Sequence, residues 1–270
     1  MTKTPPFDPC GVVTLLTDFG LTDTYVGAMH GVLHRLAPGL RAIVDLTHGV
    51  PAQDVRCGAF HLSTSWSRFP TGSVHVAVVD PGVGSERKIL LAVQDGHAFL
   101  APDNGLLNHV LKGTAEVWEL NEEAARVGPV SSTFHGRDLF APAAAALAEG
   151  RPIAELATRP VGLDPQPPVL MRDGVCAGQI VSVDRFGNLI SDIPAEALGG
   201  APGPWQVHLG AERLQLSSTY ASVPTGGLLA LIDSAGTIEV AVRDGSAAER
   251  LGLGRGTPIL VRSDATPQRG

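Results

Sequence analysis

Apolar residues in this chain of 270 follow two patterns, and the change between them falls near residue 160. In the first part, short continuous apolar runs alternate with segments whose apolar residues recur at helical spacing, which predicts a wound α/β sheet. GVVTLLT (11–17), RAIVDLT (41–47) and the run over 74–79 read as buried strands. TYVGAMHGVLHRL and the stretch from Asp54 to Trp66 read as helices, with Asp23 or Thr22 placed to cap the free amides of the first. KILLAV and AFLAPDNG predict a pair of strands around an Asp95-Gly96 turn, with Asp103 and Asn104 at the exit. RDLFAPAAAALAEG then closes this half as an alanine-rich helix that Gly150 and Pro152 terminate.

The second pattern begins after VGLDPQPPV (161–169), whose three prolines mark a linker because proline stiffens an extended chain and cannot join a central ladder. Closely spaced β patterns follow: CAGQIVSVD, NLISDI, WQVHLG, ERLQL, GLLALID, TIEVAV and a final strand near TPILVR. Clear helices are nearly absent, which predicts a small antiparallel β-barrel. The expected organisation is therefore an N-terminal α/β domain over 11–160 and a C-terminal β-barrel domain over 170–265. Residues 1–10 are expected to be a loose extension, and the tail SDATPQRG to be disordered.

Composition narrows the function. With 44% hydrophobic and 17% charged residues the chain is globular, and no apolar stretch is long enough to span a bilayer. The first ten residues lack the apolar core of a secretory signal, so the expected compartment is the cytoplasm. A net charge of −7 without a clustered positive window argues against nucleic acid and for small molecules as partners. Cys10, Cys57 and Cys176 are widely spaced with no CxxC pair, which disfavours disulfides and structural zinc. None of the nine histidines forms an HxH or HExxH pattern, and His30 and His34, four apart on a helix, read as a polar helix edge. No metal or other cofactor is expected.

Two clusters carry chemistry. VHVAVVDPGVGSER (74–87) ends a buried strand in a carboxylate, a glycine-rich turn and an arginine, where open α/β sheets bind ligands. Asp80 and Arg87 are thus candidate site residues, although Asp-Pro-Gly also opens ordinary turns. FHGRD (134–138), just ahead of the alanine-rich helix, adds His135 together with another arginine and carboxylate.

Seven blocks in order now point to one family: TDFGLTDTYVGAMHGVL, DLTHGVPAQDVRCGAF, VDPGVGSER, APDNGLL, STFHGRDLFAPAAAALAEG, DRFGNLISDI and the SxGxxExAVxxGxA pattern from Ser234 to Ala247. Over about residues 12–262 the chain resembles the S-adenosyl-L-methionine (SAM) hydrolases, or SAM hydroxide adenosyltransferases, which are related to the fluorinating and chlorinating enzymes. The resemblance implies hydrolysis of SAM at C5′ to adenosine and L-methionine, and a homotrimer with each active site between one subunit's first domain and a neighbour's second. It implies that Asp80, Arg87 and His135 form a water-activating triad. It further implies that Asp18 binds the ribose, and that Asp23 and Asp184 lie near the amino-acid end of the substrate, where ammonium and sulfonium favour negative charge. Read from the residues alone, these aspartates are first of all turn and helix-capping residues. By the same resemblance Asn188 meets the adenine edge, and Ser234, Glu239 and the backbone around Val242 contact nucleoside and methionine.

The chemistry suits those residue types. The leaving group is a neutral thioether, so no general acid is required; the site must hold one water in line with the C–S bond and provide for loss of its proton. His135 can hydrogen-bond that water and accept a proton near neutral pH, while Arg87 keeps Asp80 ionised and favours hydroxide-like charge. Sequence leaves open which member takes the proton. The halogenating relatives replace the DPGVG and HGRD blocks with hydroxyl-bearing residues, whereas both are intact here, and an aspartate near the nucleophile repels halide. Where some halogenases carry an arginine after the Ser234 position this chain has Ala235, which leaves the contacts of the methionine carboxylate unassigned. A SAM- or adenosine-binding protein without turnover is the alternative from another class.

Overall fold

The computed structural model describes residues 7–162, 169, 171–199 and 205–263. Contacts divide the chain into two compact units, Met1–Gln166 and Pro167–Gly270. Most of the expected linker (163–168), the first six residues and the tail from 264 lie outside the described residues.

The first unit is built on a seven-stranded sheet. Its strands are β1 (Val12–Thr17), β2 (Ala42–Thr47), β3 (Val74–Val78), β4 (Ile89–Gln94), β5 (His97–Pro102), β6 (Glu116–Leu120) and β7 (Ala157–Pro160), in the order β2-β1-β3-β5-β4-β6-β7. The block β2-β1-β3-β5 is parallel, and β4, β6 and β7 extend it through antiparallel pairs. Helices α1 (Tyr25–Leu36) and α2 (Val55–Ser65) follow β1 and β2. Two separate apolar clusters form: Met29 and Leu33 of α1 pack in one, and Cys57 and Leu62 of α2 in the other. A sheet covered by two cores has to bury both faces of its strands, which is why β1, β3, β4 and β5 are buried along their whole length and mostly apolar without alternation.

The chain order puts β2 on one side of β1 and β3 on the other, so the connection reverses direction at β1. Such a switch point opens a crevice outside the carboxyl ends of the two strands. Asp18 follows β1, and Asp80 follows β3 by two residues. Both expected carboxylates thus arrive at this crevice by topology.

Short helices α3 (Glu122–Ala125), α4 (Ala141–Ala148) and α5 (Ile153–Leu156) complete the unit. The alanine-rich helix is interrupted: Gly136–Phe140 is a π-helical turn, and regular helix resumes only at Ala141. Two further expectations are corrected here. The residue before α1 is Thr24, with no side-chain cap bond, so neither Asp23 nor Thr22 caps that helix. The N-terminal extension is not loose from residue 7 on. Phe7 packs on the first core, and the Cys10 amide donates to the Gly72 carbonyl at 3.0 Å. Gly72, at φ +88°, lets Asp8 pass so closely that a Cβ would lie 2.1 Å from its carbonyl oxygen.

The second unit is a closed barrel in the order β10-β11-β12-β13-β9-β8-β14. Its strands are β8 (Val175–Val183), β9 (Leu189–Pro194), β10 (Trp205–Leu209), β11 (Glu212–Ser217), β12 (Leu228–Ile232), β13 (Thr237–Val242) and β14 (Pro258–Ser263). Every expected strand is present. The pairing departs from a wholly antiparallel barrel at one seam, since β11 and β12 run parallel through Leu216↔Ala230 and Ser217↔Leu231. Inward residues such as Ile180, Leu189, Val207, Val240 and Val261 fill the interior, and helix α6 (Ala247–Leu251) lies between β13 and β14.

Candidate active site

The loop leaving β3 turns sharply because the Val83 amide donates to the Asp80 carbonyl and the Ser85 amide to that of Gly82. Gly84, at φ +77°, presses against the segment that carries His135. A Cβ there would lie 2.3 Å from the Ser132 carbonyl oxygen. The glycine is therefore what brings residues 80–87 and 131–135 together. From the side, the Asn104 amide donates to the Val79 carbonyl at 2.8 Å and holds the end of the strand.

The three expected catalytic residues meet in one chain of hydrogen bonds. Arg87 Nε donates to Asp80 Oδ2 and Oδ1 at 2.9 and 3.0 Å, and Nη2 also donates to Oδ2. The same Nη2 lies 2.8 Å from His135 Nδ1. Both charged side chains are almost shut off from solvent, Arg87 at 10% and Asp80 at 5% exposure, so removing either would strand the other's charge. A guanidinium has no lone pair to accept with, hence Nδ1 is the acceptor and the neutral imidazole carries its proton on Nε2. Burial, and next the Arg87 cation, hold the His135 pKa below the ordinary value of 6.5, which keeps the ring neutral. One expectation changes as a result. With Nδ1 engaged by Arg87, His135 presents an N–H donor to its surroundings rather than a free basic nitrogen.

His135 and Asp80 line a cavity of about 370 Å³ together with Asp18, Phe19, Tyr25 and Phe134. Asp18 is oriented by the Gln53 amide, which donates to its Oδ2 at 2.8 Å from a backbone at φ +65°. The aromatic wall was not anticipated from the sequence. Tyr25 and Phe134 meet edge to face at 5.1 Å, and Phe19 packs on both rings. Phe19 and Phe134 lie directly beside Asp18 and His135 in DFG and FHGRD, and that adjacency was the available signal; Tyr25 lies two residues after Asp23. Asp23 is exposed and does not line this cavity. Of the remaining FHGRD charges, Asp138 accepts from the Ser131 amide and pairs with Arg137, so it shapes the loop rather than joining the triad.

In the second unit an open pocket of about 1160 Å³ is lined by Asp184, Asn188, Ser234, Glu239 and Val242, the other five expected binding residues. Asp184 organises the tight turn from β8 to β9. Its Oδ1 accepts from the Phe186 and Asn188 amides at 2.9 and 2.8 Å, and its Oδ2 from Asn188 Nδ2 at 3.0 Å. It is a turn aspartate and a pocket wall at once, and Asn188 keeps its amide oxygen and one N–H beyond that bond. Glu239 is 3% exposed and accepts from the Tyr220 hydroxyl at 2.7 Å. Burial raises its pKa; the Tyr220 bond opposes this, while Asp233 and Asp184 push it further up. Tyr220 and Asp233 were not picked out from the sequence.

The profile of the SAM hydroxide adenosyltransferase N-terminal domain matches residues 13–157, and that of the C-terminal domain matches 178–260. The chain belongs to the SAM hydroxide adenosyltransferase family. A relative from Thermus thermophilus, named (R)-S-adenosyl-L-methionine hydrolase, is 40% identical over 266 residues, covering 92% of this chain and 98% of its own. A fluorinase of Nocardia brasiliensis is more distant, 26% identical over 290 residues and covering 93% and 96%. A crystal structure of a conserved protein from Thermotoga maritima aligns with a TM-score of 0.82 at 33% identity, over 93% of this chain and 99% of that one.

Proposed function

We propose that this member of the family hydrolyses SAM at C5′, giving adenosine and L-methionine. The observation that carries the reading is the continuous Asp80–Arg87–His135 chain at the wall of a cavity that also holds Asp18. Asp18 is the acceptor for the ribose hydroxyls, which places C5′ toward the triad. His135 Nε2–H then donates to the water oxygen and aims its remaining lone pair at carbon. The C5′–O bond forms as the C5′–S bond breaks, methionine leaves as the neutral thioether, and the water's proton passes to solvent in the open cavity while Arg87 offsets the negative charge that grows as it leaves. In this reading the triad positions and favours hydroxide, and His135 is not the terminal base. Asp80, fixed beside the same position, disfavours fluoride or chloride.

Asn188, Ser234, Glu239 and the backbone at Val242 serve the adenine and methionine portions, with Asp184 and Asp23 near the cationic end. The reaction needs no metal or organic cofactor. The working assembly is a homotrimer in the cytoplasm, in which one subunit's cavity is completed by a neighbour's barrel pocket. Exposed apolar side chains at both rims support this: Tyr25 and Val83 at the first, Phe186, Tyr220 and Ile232 at the second. Among the described residues no helix is long and apolar enough to cross a membrane. The test is incubation of purified protein with SAM while adenosine and methionine are followed by chromatography. Equal release of both supports hydrolysis, and tight binding without release would make the protein a SAM or adenosine binder instead.

A further inference from the structure

His30, Asp45 and His48 converge although they come from α1, β2 and the loop after it. His30 Nε2 lies 2.8 Å and His48 Nε2 3.0 Å from Asp45 Oδ1, and the three ligand-type atoms all fall within 4.8 Å of one another. His34, the residue spaced from His30 like a helical ligand pair, is exposed and takes no part.

His48 is the informative member. Its side chain is 2% exposed and its Nδ1 is held by Thr17 Oγ1 at 2.8 Å, yet its buried Nε2 makes no hydrogen bond of acceptable geometry, even with Asp45 so near. Neither neutral tautomer satisfies that atom. With the proton on Nε2, the N–H is misaligned with the carboxylate; with the proton on Nδ1 donating to Thr17, a nitrogen lone pair faces a carboxylate oxygen. A cation between them resolves the second arrangement, and it is the one in which a ligating histidine has its other nitrogen fixed by a hydrogen bond.

We propose that His30 Nε2, Asp45 and His48 Nε2 form a binding site for a divalent transition ion of the zinc class. Two imidazoles and one carboxylate suit zinc and its neighbours rather than magnesium or calcium. A tetrahedral ion with ordinary bond lengths sets its ligand atoms about 3.3 Å apart, so the two contacts to Asp45 need to lengthen by only a few tenths of an ångström, with the two imidazole nitrogens within 4.8 Å of each other. Asp45 and His30 are 39% and 28% exposed on their side chains, which leaves the fourth position to water and gives the ion a way in. None of the three lines the cavity of the proposed reaction, so the ion's role is to fix structure. What it would fix is the exit of β1. His48 grips that segment twice, through Thr17 and through its carbonyl, which accepts from the Gly20 amide at 2.8 Å, and Asp18 lies between these grips.

The test uses the full-length protein stripped with a chelator and dialysed against Zn²⁺, with metal content measured per chain. The wild type is expected to hold one equivalent and to melt at a higher temperature when loaded. His30→Ala and Asp45→Asn, both at partly exposed positions, are expected to weaken binding at least tenfold and to lose the thermal shift. Loading with Co²⁺ supplies a second readout, the strong visible absorption of a four-coordinate ion, present in wild type and absent in His30→Ala. Failure of the wild type to take up stoichiometric metal would overturn the site. So would uptake, absorption and thermal shift unchanged in both variants.

Discussion

The two pockets handle carboxylates in opposite ways. In the α/β unit Asp80, the carboxylate at the proposed reacting position, is neutralised by a two-pronged Arg87, whose Nη2 also meets a neutral His135. In the barrel Asp184, Asp233 and Glu239 surround one open pocket, and their partners are backbone amides, an asparagine amide and hydroxyls. Among the described residues no ion pair offsets these three. A balanced charge array stabilises negative charge only where a nucleophile forms. An unbalanced acidic pocket attracts a cation, and a sulfonium amino acid is a cation. In the proposed reaction the same side-chain chemistry thus serves activation in one unit and recognition in the other.

The contrast breaks most readily at the triad. His135→Ala is expected to lower single-turnover rate by about a hundredfold to ten-thousandfold, while calorimetry shows adenosine affinity within about tenfold of wild type. Loss of affinity with rate preserved would move His135 into the nucleoside pocket. Arg87→Ala should lose rate to the same degree and also cost about 3–5 kcal/mol of stability, because it leaves the Asp80 charge buried and alone. Thermal melting measures that second loss.

Asp18→Ala comes next and reverses the pattern: nucleoside affinity should fall by about ten- to a hundredfold, as expected when charge-assisted hydrogen bonds to two hydroxyls are lost. In the barrel, Glu239→Gln should weaken SAM more than adenosine, since only SAM carries the cationic sulfur and ammonium. A variant that weakened both equally would assign Glu239 to the nucleoside. Light scattering tests the assembly. A trimer is expected, and a fully active monomer would contradict sites shared between subunits.

Much of this was legible in the chain because topology does the positioning. An apolar run that ends in an aspartate and a glycine turn marks a strand exit, at Asp18-Phe19-Gly20 and at Asp80-Pro81-Gly82, and the β2-β1-β3 order brings these two exits to one crevice. The barrel strands were equally plain from closely spaced β patterns. What escaped the sequence depends on contacts distant in the chain or on exact geometry. The parallel β11–β12 seam leaves no pattern, because both strands read alike in either direction. The capping of α1 was misplaced because Asp23, Thr22 and Thr24 are all capping residue types, and the helix starts without using any of their side chains. The aromatic wall of Phe19, Tyr25 and Phe134 joins residues over a hundred positions apart. His135's tautomer is set by a guanidinium 48 residues away along the chain.

Two pH effects are smaller and separable. Protonating His135 removes the acceptor for Arg87 and sets two cations together, so turnover should fall on the acid side with a midpoint below 6.5. Stability has a different source. His75 is fully buried, bonded to Thr14 and His97, and burial, then the neighbouring His97, depress its pKa to about 3. Its folded-state pKa lies below the unfolded one, so the unfolded chain binds the proton first. The stability present above pH 6.5 is then lost as pH falls toward 3, by at most about 1.4 kcal/mol per pH unit from this group. Denaturant titrations across that range should show a shallower loss in His75→Phe than in wild type.

The central claim, that the Asp80–Arg87–His135 unit directs water at C5′, is tested most directly by single turnover of SAM in ¹⁸O-labelled water with mass analysis of both products. The account predicts one solvent oxygen in the 5′-hydroxyl of adenosine and none in methionine. Unlabelled adenosine, or solvent oxygen found in methionine instead, would contradict it.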